Sequence, residues 1–427
     1  MKEINLMPQD QVGWYIKETS PQPLTSPIKT DVVIVGGGMA GLSAAQSFMD
    51  KGCSVVLLEK NFCGAGASGK SSGFITPDSE LNLSSLTRQF GMEEAKKLWD
   101  FVLSGVQFIE NNIKKLDIKC DYQIQDSLIV ANSANAMSKI KTEFQAHKKE
   151  FHESVLHDKE NMHKILGSND YYGGMSYSKT FGIHTYHYCQ GIKENLQARG
   201  VKVFEETPVI KLHSKGVDTV YATVQADHVV VCMDRFIPEI QPSFKDVYHA
   251  QNFLMFSAPL QEDEIRKIFP DKNYMVWDTD FLYQYYRMTG NRFMIGGSDF
   301  ISVYWGKEQH NSRKMFEKLN NYTKKKFPNV KINFEYFWPG MIGVSKDIMP
   351  IADYDSNLPN VYYVSAAAGL PWAAALGSYS ADKIINQRGD LDAHFSLKRK
   401  FPLGHGIQSI LRKRITFALS NLITLFK

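Results

Sequence analysis

DVVIVGGGMAGLSAA (residues 31–45) is the stretch that decides the fold. DVVIV runs apolar into glycines, as a strand buried on both faces does. GLSAAQSFMDKG (41–52) has helical spacing, with small residues where a helix must approach a sheet, and SVVLLE (54–59) is a second buried strand. Residues 31–59 therefore read as one βαβ unit. Its turn, GGGMAG, supplies G-x-G-x-x-G as Gly36, Gly38 and Gly41, and Glu59 closes the second strand. The motif is weak alone, but between a strand and a helix, with an acid after the next strand, it is the dinucleotide fingerprint.

Each residue has a physical task in that reading. Gly36 permits the tight turn. Gly38 lets a pyrophosphate reach the backbone N–H groups of the helix N-terminus, where the dipole favours anions. Gly41 allows close helix–strand packing. The Glu59 carboxylate accepts from ribose hydroxyls. The fingerprint alone does not choose between NAD and FAD. The next stretch, CGAGASGKSSGFITPD (63–78), favours FAD. An extended flavin dinucleotide outgrows the βαβ unit and needs a second backbone-rich bed past the ribose-binding acid. Small side chains permit that close approach, and Ser68, Ser71, Ser72 and Lys70 add donors. A solvated linker would not usually begin four residues after a buried strand within a folded unit.

At 427 residues the chain exceeds one ordinary core and should form two domains. Apolar residues are 43%, charged residues 22% and aromatics 12%, a soluble globular balance with enough aromatics to line a pocket. A net charge of +4 argues against a nucleic-acid binder that works by bulk electrostatics. Five cysteines, none in a C-x-x-C pair, argue against a disulfide framework or a zinc site and for a reducing, cytoplasmic home. The opening residues lack the basic-then-apolar order of a signal peptide, and no run reaches the roughly 18 apolar residues of a spanning helix.

Along the chain, parallel-type units (31–59, about 182–233, 361–386) alternate with antiparallel-type material (about 117–135, 247–337). Two interleaved domains follow. The expected division is an N-terminal arm (1–27) anchored by Trp14-Tyr15, and a discontinuous dinucleotide-binding domain (28–112, 153–238, 338–390). A substrate domain (113–152, 239–337) and a C-terminal helical element (391–427) complete it.

DVVIVGGGMAGLSAA followed by LLEKNFCGAGASGKSSGFI resembles the FAD-dependent oxidoreductases of the D-amino acid oxidase and glycine oxidase type, most of all the gamma-glutamylputrescine oxidoreductase branch. The likeness continues through CDYQIQDSLIVA, FGIHTYH, YYRMTGNRFMIGG, FWPG and NVYYVSAAAGLPWAAALGSYSADKI. It implies a glutathione-reductase-like (Rossmann) FAD domain joined to a domain on a large antiparallel sheet. It also implies C–N oxidation of a small amine. Carried across by motif, Gly36, Gly38, Met39, Ala40 and Gly41 would contact the pyrophosphate, and Glu59 and Lys60 the adenosine. Gly66, Ala67, Ser68, Ser71, Ser72 and Gly73 would run along the pyrophosphate, ribityl chain and flavin. Val209 would meet adenine. Gly369, Leu370, Pro371 and Trp372 would face the flavin pyrimidine. The family chemistry requires no acid–base side chain.

Departures from the family pattern narrow the substrate. The arginine that clamps a carboxylate in glycine-oxidase-like members falls at Ile342, which disfavours a simple α-amino acid held that way. Arg287 is either a substitute clamp or an interface arginine. The lysine that sarcosine-oxidase-like members hold over the flavin falls at Met294. No cysteine lies near 340–350, so FAD is expected to be non-covalent. His184 faces the pocket or caps a helix, and Trp372 walls the pocket or joins the core. Tyr283 and Tyr285 share a strand face, opposite Tyr286, so one set can see the flavin. IQSILRKRITFALSNLITLF (407–426) is amphipathic. It reads as a helix packed on the body or as peripheral membrane contact through 405–427, on the inner face of the membrane. Two other functions stay open: an alcohol or polyol dehydrogenase, and a non-catalytic flavin-binding assembly factor.

Overall fold

The computed structural model describes residues 11–15, 22–78, 81–150, 154–241, 244, 247–280, 283–298, 308, 312–345 and 347–399. The segment 407–426, with its amphipathic reading, lies outside them.

The first strand, β1 (Ile28–Val35), leads through Gly36–Gly38 into α1 (Met39–Asp50) and then β2 (Val55–Leu58). β1 and β2 pair in parallel, Val33 against Val56. On its other side β1 pairs in parallel with Thr223–Val231. The central strands are buried on both faces, which explains the continuous Val/Ile/Leu runs. The sheet has eight strands. Val361–Ser365 extends it in parallel beyond Thr223–Val231, and the hairpin Val209–His213 and Gly216–Thr219 turns antiparallel at one end.

A second sheet, also of eight strands, runs in the order 334–344, 248–259, 292–298, 284–289, 274–278, 126–130, 173–177, 154–158. It is antiparallel except where Tyr274–Asp278 lies beside Asp126–Val130. Three strands depart from the expected division. Ser154–Asp158 and Gly173–Tyr177 belong to this second sheet, not to the dinucleotide unit. Phe334–Val344 also belongs wholly to it, so the boundary expected at 338 cuts through a strand. That strand lies at the end of the sheet order, where Pro339 leaves no inner ladder bond unmade.

The described part of the arm is fixed to the body. Trp14 is buried among Phe256, Trp338 and Met294, and Leu24 N–H donates to Thr207 Oγ1 at 3.0 Å. The helix Leu370–Asn386 lies against α1 and the long helix Met92–Leu116. Gly377 and Gly105 allow these approaches: a Cβ on Gly377 would sit 2.2 Å from Ala40 O, and one on Gly105 2.0 Å from Pro371 O. Among the described residues no helix is long and apolar enough to cross a membrane.

Candidate functional site

The fingerprint turn has the stereochemistry its glycines imply. Gly36 has φ +109, and a Cβ there would lie 2.5 Å from Cys232 O. A Cβ on Gly41 would lie 1.8 Å from Gly36 O. These two glycines seat the helix on the strand. Gly38 and Gly66 do something different: they leave room. Gly38 meets only Ser68 within 4 Å, and Gly66 meets nothing. Gly38 offers no side-chain cap to α1, whose first N–H, on Met39, donates to Ser68 Oγ at 2.9 Å. The open helix start and the bare glycines leave a space at a helix N-terminus of the kind that suits an anion.

A cleft of about 390 Å³ opens in front of this turn. Gly36, Gly38, Met39, Ala40, Glu59 and Lys60 line one wall, and Gly66, Ala67, Ser68 and Val209 also face it. Glu59 accepts from the N–H groups of Gly37 at 2.7 Å and Asn61 at 2.9 Å. Burial pushes its pKa up and those two donors pull it back. Each oxygen keeps a lone pair for a ribose hydroxyl. The opposite wall carries residues with no local signature: Arg235, Phe236 and the backbone turn at Asp234. Lys60 Nζ sits 3.3 Å above the Phe236 ring and the Arg235 guanidinium 3.9 Å from it, which holds two cations at the mouth. Asp234, at φ +49, ties three elements together, accepting from Gly343 N–H at 2.6 Å and Ala366 N–H at 3.0 Å. The segment Cys232–Arg235 is thus a well-bonded corner of the cleft.

Beyond Ala67, Lys70 and Ile342, which border both spaces, lies a second cavity of about 130 Å³ between the two sheets. Ser71, Ser72, Phe74, Gly369 and Leu370 line it from the dinucleotide side. Leu254, Trp277, Tyr283, Tyr285 and Ile342 line it from the antiparallel sheet. Its walls are mostly apolar and aromatic. Trp277 and Leu254 belong to no motif. Only strand alternation in the second sheet would have nominated them.

The loop at this end is held by its carbonyls. Lys70 O accepts from Trp338 Nε1 at 3.0 Å, Ser71 O from Trp14 Nε1 at 2.8 Å, and Ser72 O from Arg287 Nε at 2.9 Å. Tyr15 OH donates to Ala65 O at 2.8 Å. Trp14→Phe removes the Nε1 donor and part of a buried ring, leaving Ser71 O without that partner. An unsatisfied buried acceptor costs about 1–3 kcal/mol, so the melting temperature should fall and the Kd for FAD should rise about fivefold or more. Scanning calorimetry reads the first change and flavin fluorescence titration of the apoprotein the second.

Several nominated residues sit elsewhere. Arg287 is fully buried, and besides Ser72 O its guanidinium donates to Ile183 O at 2.7 Å and Met288 O at 3.1 Å. Burial lowers its pKa to about 10. It is an interface arginine and no clamp, because its donors point at backbone. His184 caps the helix Thr185–Ala198, its Nδ1 accepting from His187 N–H at 3.2 Å, and stacks on the His187 ring at 3.7 Å. Burial lowers its pKa to about 3, so it stays neutral. Trp372 is 2% exposed, within a core that includes Phe101 and Phe395, because the helix turns it away from the cavity. Pro371 lies in the first turn of that helix, and Gly73, at φ +72, packs against Ile183 O; neither lines the cleft or the smaller cavity. Tyr286 bonds Tyr171 on the far face of its sheet.

Comparison with known proteins follows from this geometry. The family described as FAD dependent oxidoreductase (DAO) matches residues 31–383. The chain is 26% identical over 382 residues to the probable oxidoreductase OrdL of Haemophilus influenzae, covering 86% of each. It is 27% identical over 355 residues to the gamma-glutamylputrescine oxidoreductase of Escherichia coli, covering 81% of each. In fold it is similar to L-proline dehydrogenase from P. horikoshii, with TM-score 0.73, 17% identity and coverage of 86% of this chain and 96% of that one. It is equally similar to glycine oxidase from Geobacillus kaustophilus, with TM-score 0.73, 16% identity and coverage of 88% and 100%. A family match that starts in β1 and ends inside the helix Leu370–Asn386 spans both the cleft and the cavity, and the chain belongs to the DAO family of FAD dependent oxidoreductases.

Proposed function

We propose that this protein oxidises a C–N bond in a small amine or N-substituted amino acid, with FAD held non-covalently across the cleft and the cavity. The observation that carries this reading is the wall of the smaller cavity. Tyr283, Tyr285, Trp277 and Phe74 offer aromatic surface, and Ile342 stands where a carboxylate clamp would be. Such a wall suits an apolar, amine-bearing carbon. When bound, FAD supplies the hydride acceptor. The chain's own residues do the rest. Gly38, Met39 and Ser68 hold the pyrophosphate, and Glu59 holds the ribose. Ser71 and Ser72 bed the ring, and the aromatic wall excludes water while it orients the substrate carbon. The imine product then leaves and hydrolyses in water. The similarity to gamma-glutamylputrescine oxidoreductase supports an amine as substrate class.

The test is anaerobic mixing of the yellow holoprotein with amines, amino acids and polyols, read by loss of the oxidised-flavin absorbance. A primary or secondary aliphatic amine should bleach it. Glycine should bleach it at least about tenfold more slowly, since a missing charged clamp forfeits about 1.5–3 kcal/mol. Bleaching by a polyol, with a ketone and no amine-derived product, would replace this reading with alcohol oxidation.

A further inference from the structure

Thr76 lines the smaller cavity, and behind it lies a buried carboxyl group, that of Asp78. Thr76 Oγ1 donates to Asp78 Oδ1 at 2.7 Å. Tyr177 OH also donates to Asp78 Oδ1 and lies 2.6 Å from Thr76 Oγ1. Ser127 Oγ, on the strand Asp126–Val130, donates to Thr76 Oγ1 at 3.2 Å. Asp78 is 5% exposed, and among the described residues its Oδ2 has no hydrogen-bond partner. The Coulombic neighbours on the helix Ala134–Glu150 are Glu143 and His147, which bond each other at 3.0 Å. A buried carboxylate with one uncompensated oxygen is costly. Among the described residues it makes no ion pair and caps no helix, and it accepts from the neutral hydroxyls of Thr76 and Tyr177.

We propose that Asp78, acting through the Thr76 hydroxyl, takes the proton of a cationic amine in the smaller cavity. The nitrogen is then neutral when its carbon gives up hydride. The step balances as a paired transfer. The ammonium N–H bond breaks as a bond forms to Thr76 Oγ1, while the Thr76 O–H proton moves to Asp78 Oδ1. The products are a neutral amine, an intact threonine and a neutral carboxylic acid. Tyr177, held on the same oxygen, keeps Asp78 aimed at Thr76. Burial raises the Asp78 carboxyl to about 6, so it is ionised and able to accept at neutral pH. This inference rests on the C–N oxidation reading and adds to it the residue that activates the substrate.

The test uses the FAD-loaded full chain and two readouts. Infrared difference spectra between wild type and Asp78→Asn need no substrate. They should show a protonated carboxyl band that disappears as pH rises through about 6. A band already gone at ordinary aspartate pH values overturns the proposal. The second readout is the rate of anaerobic flavin reduction by an amine that bleaches wild type. Asp78→Asn and Thr76→Val should each slow it about 100-fold at neutral pH. Both should recover as pH rises through about 10.4, where a free alkylamine loses its proton. Thr76→Ser should stay near wild type. Equal slowing at every pH, or none, overturns the relay and leaves C–N oxidation standing. If no amine bleaches wild type, C–N oxidation falls and the relay falls with it. Should Asp78→Asn fail to fold, the Thr76 pair decides the matter alone.

Discussion

Gly41→Ala yields a protein that cannot keep FAD. The new Cβ would meet Gly36 O at 1.8 Å, Gly36 C at 3.0 Å and Ile34 Cγ2 at 3.4 Å. The first two are backbone atoms, with no flexible end to swing aside. Either α1 lifts off β1 or the turn at Gly36 deforms, and Gly36 is already pressed against Cys232 O. Overpacking of this kind costs about 1–3 kcal/mol or more in stability. The larger effect is on the ligand, because the N–H groups that face the pyrophosphate move with the helix. FAD affinity should fall at least 100-fold, equivalent to about 2.7 kcal/mol. The purified variant should be colourless, and titration with FAD should show no saturation at concentrations that fill wild type. A yellow protein carrying one FAD per chain would show that the glycine is not needed for packing.

Arg287→Met is the second large effect. The substitution keeps the apolar stem and removes the donors. Ser72 O, Ile183 O and Met288 O then lose a partner inside a region water does not reach. Each unsatisfied buried acceptor costs about 1–3 kcal/mol, so a total of at least about 3 kcal/mol is expected. In a chain of this size the melting temperature should fall by about 5 °C or more. FAD should also dissociate faster if it is held as proposed, since Ser72 lines the smaller cavity. Arg287→Lys should recover little, because a single ammonium cannot reach three carbonyls in three directions. Scanning calorimetry with and without excess FAD separates the two losses. An unchanged melting temperature would refute the role of Arg287 as the pin between the loop and the second sheet.

The contrast between these residues shows what could be read from the chain alone. Gly36, Gly38, Gly41 and Glu59 act within one contiguous unit. Their spacing encodes their geometry, and the stereochemical need for glycine is written in the residue itself. The loop 63–73 was legible for the same reason, since bare backbone beside a nucleotide fold points to a ligand bed. Arg287 was visible as an arginine in a strand, but its role depends on Ser72 and Ile183, which lie far away along the chain. The strand register that brings them together is set by the second sheet as a whole. His184 and Trp372 were ambiguous because a helix rotation of less than half a turn separates core from cavity. Asp78 was passed over at the end of the loop. Its meaning comes from Tyr177, on a strand that the sequence division placed in the dinucleotide-binding domain and the structure places in the second sheet. Ser154–Asp158 and Gly173–Tyr177 carried no signal for sheet membership, because alternation identifies a strand and not its neighbours.

The three carbonyls of Lys70, Ser71 and Ser72 have a consequence for how the protein is made. Their donors are spread along the chain: Trp14, Arg287 and Trp338. During synthesis the loop leaves the ribosome long before two of the groups that hold it. A product arrested short of residue 338 leaves Lys70 O without its Trp338 donor, and one arrested short of residue 287 leaves Ser72 O without its partner as well. This loop therefore sets late in synthesis, only once the strands that carry its donors exist.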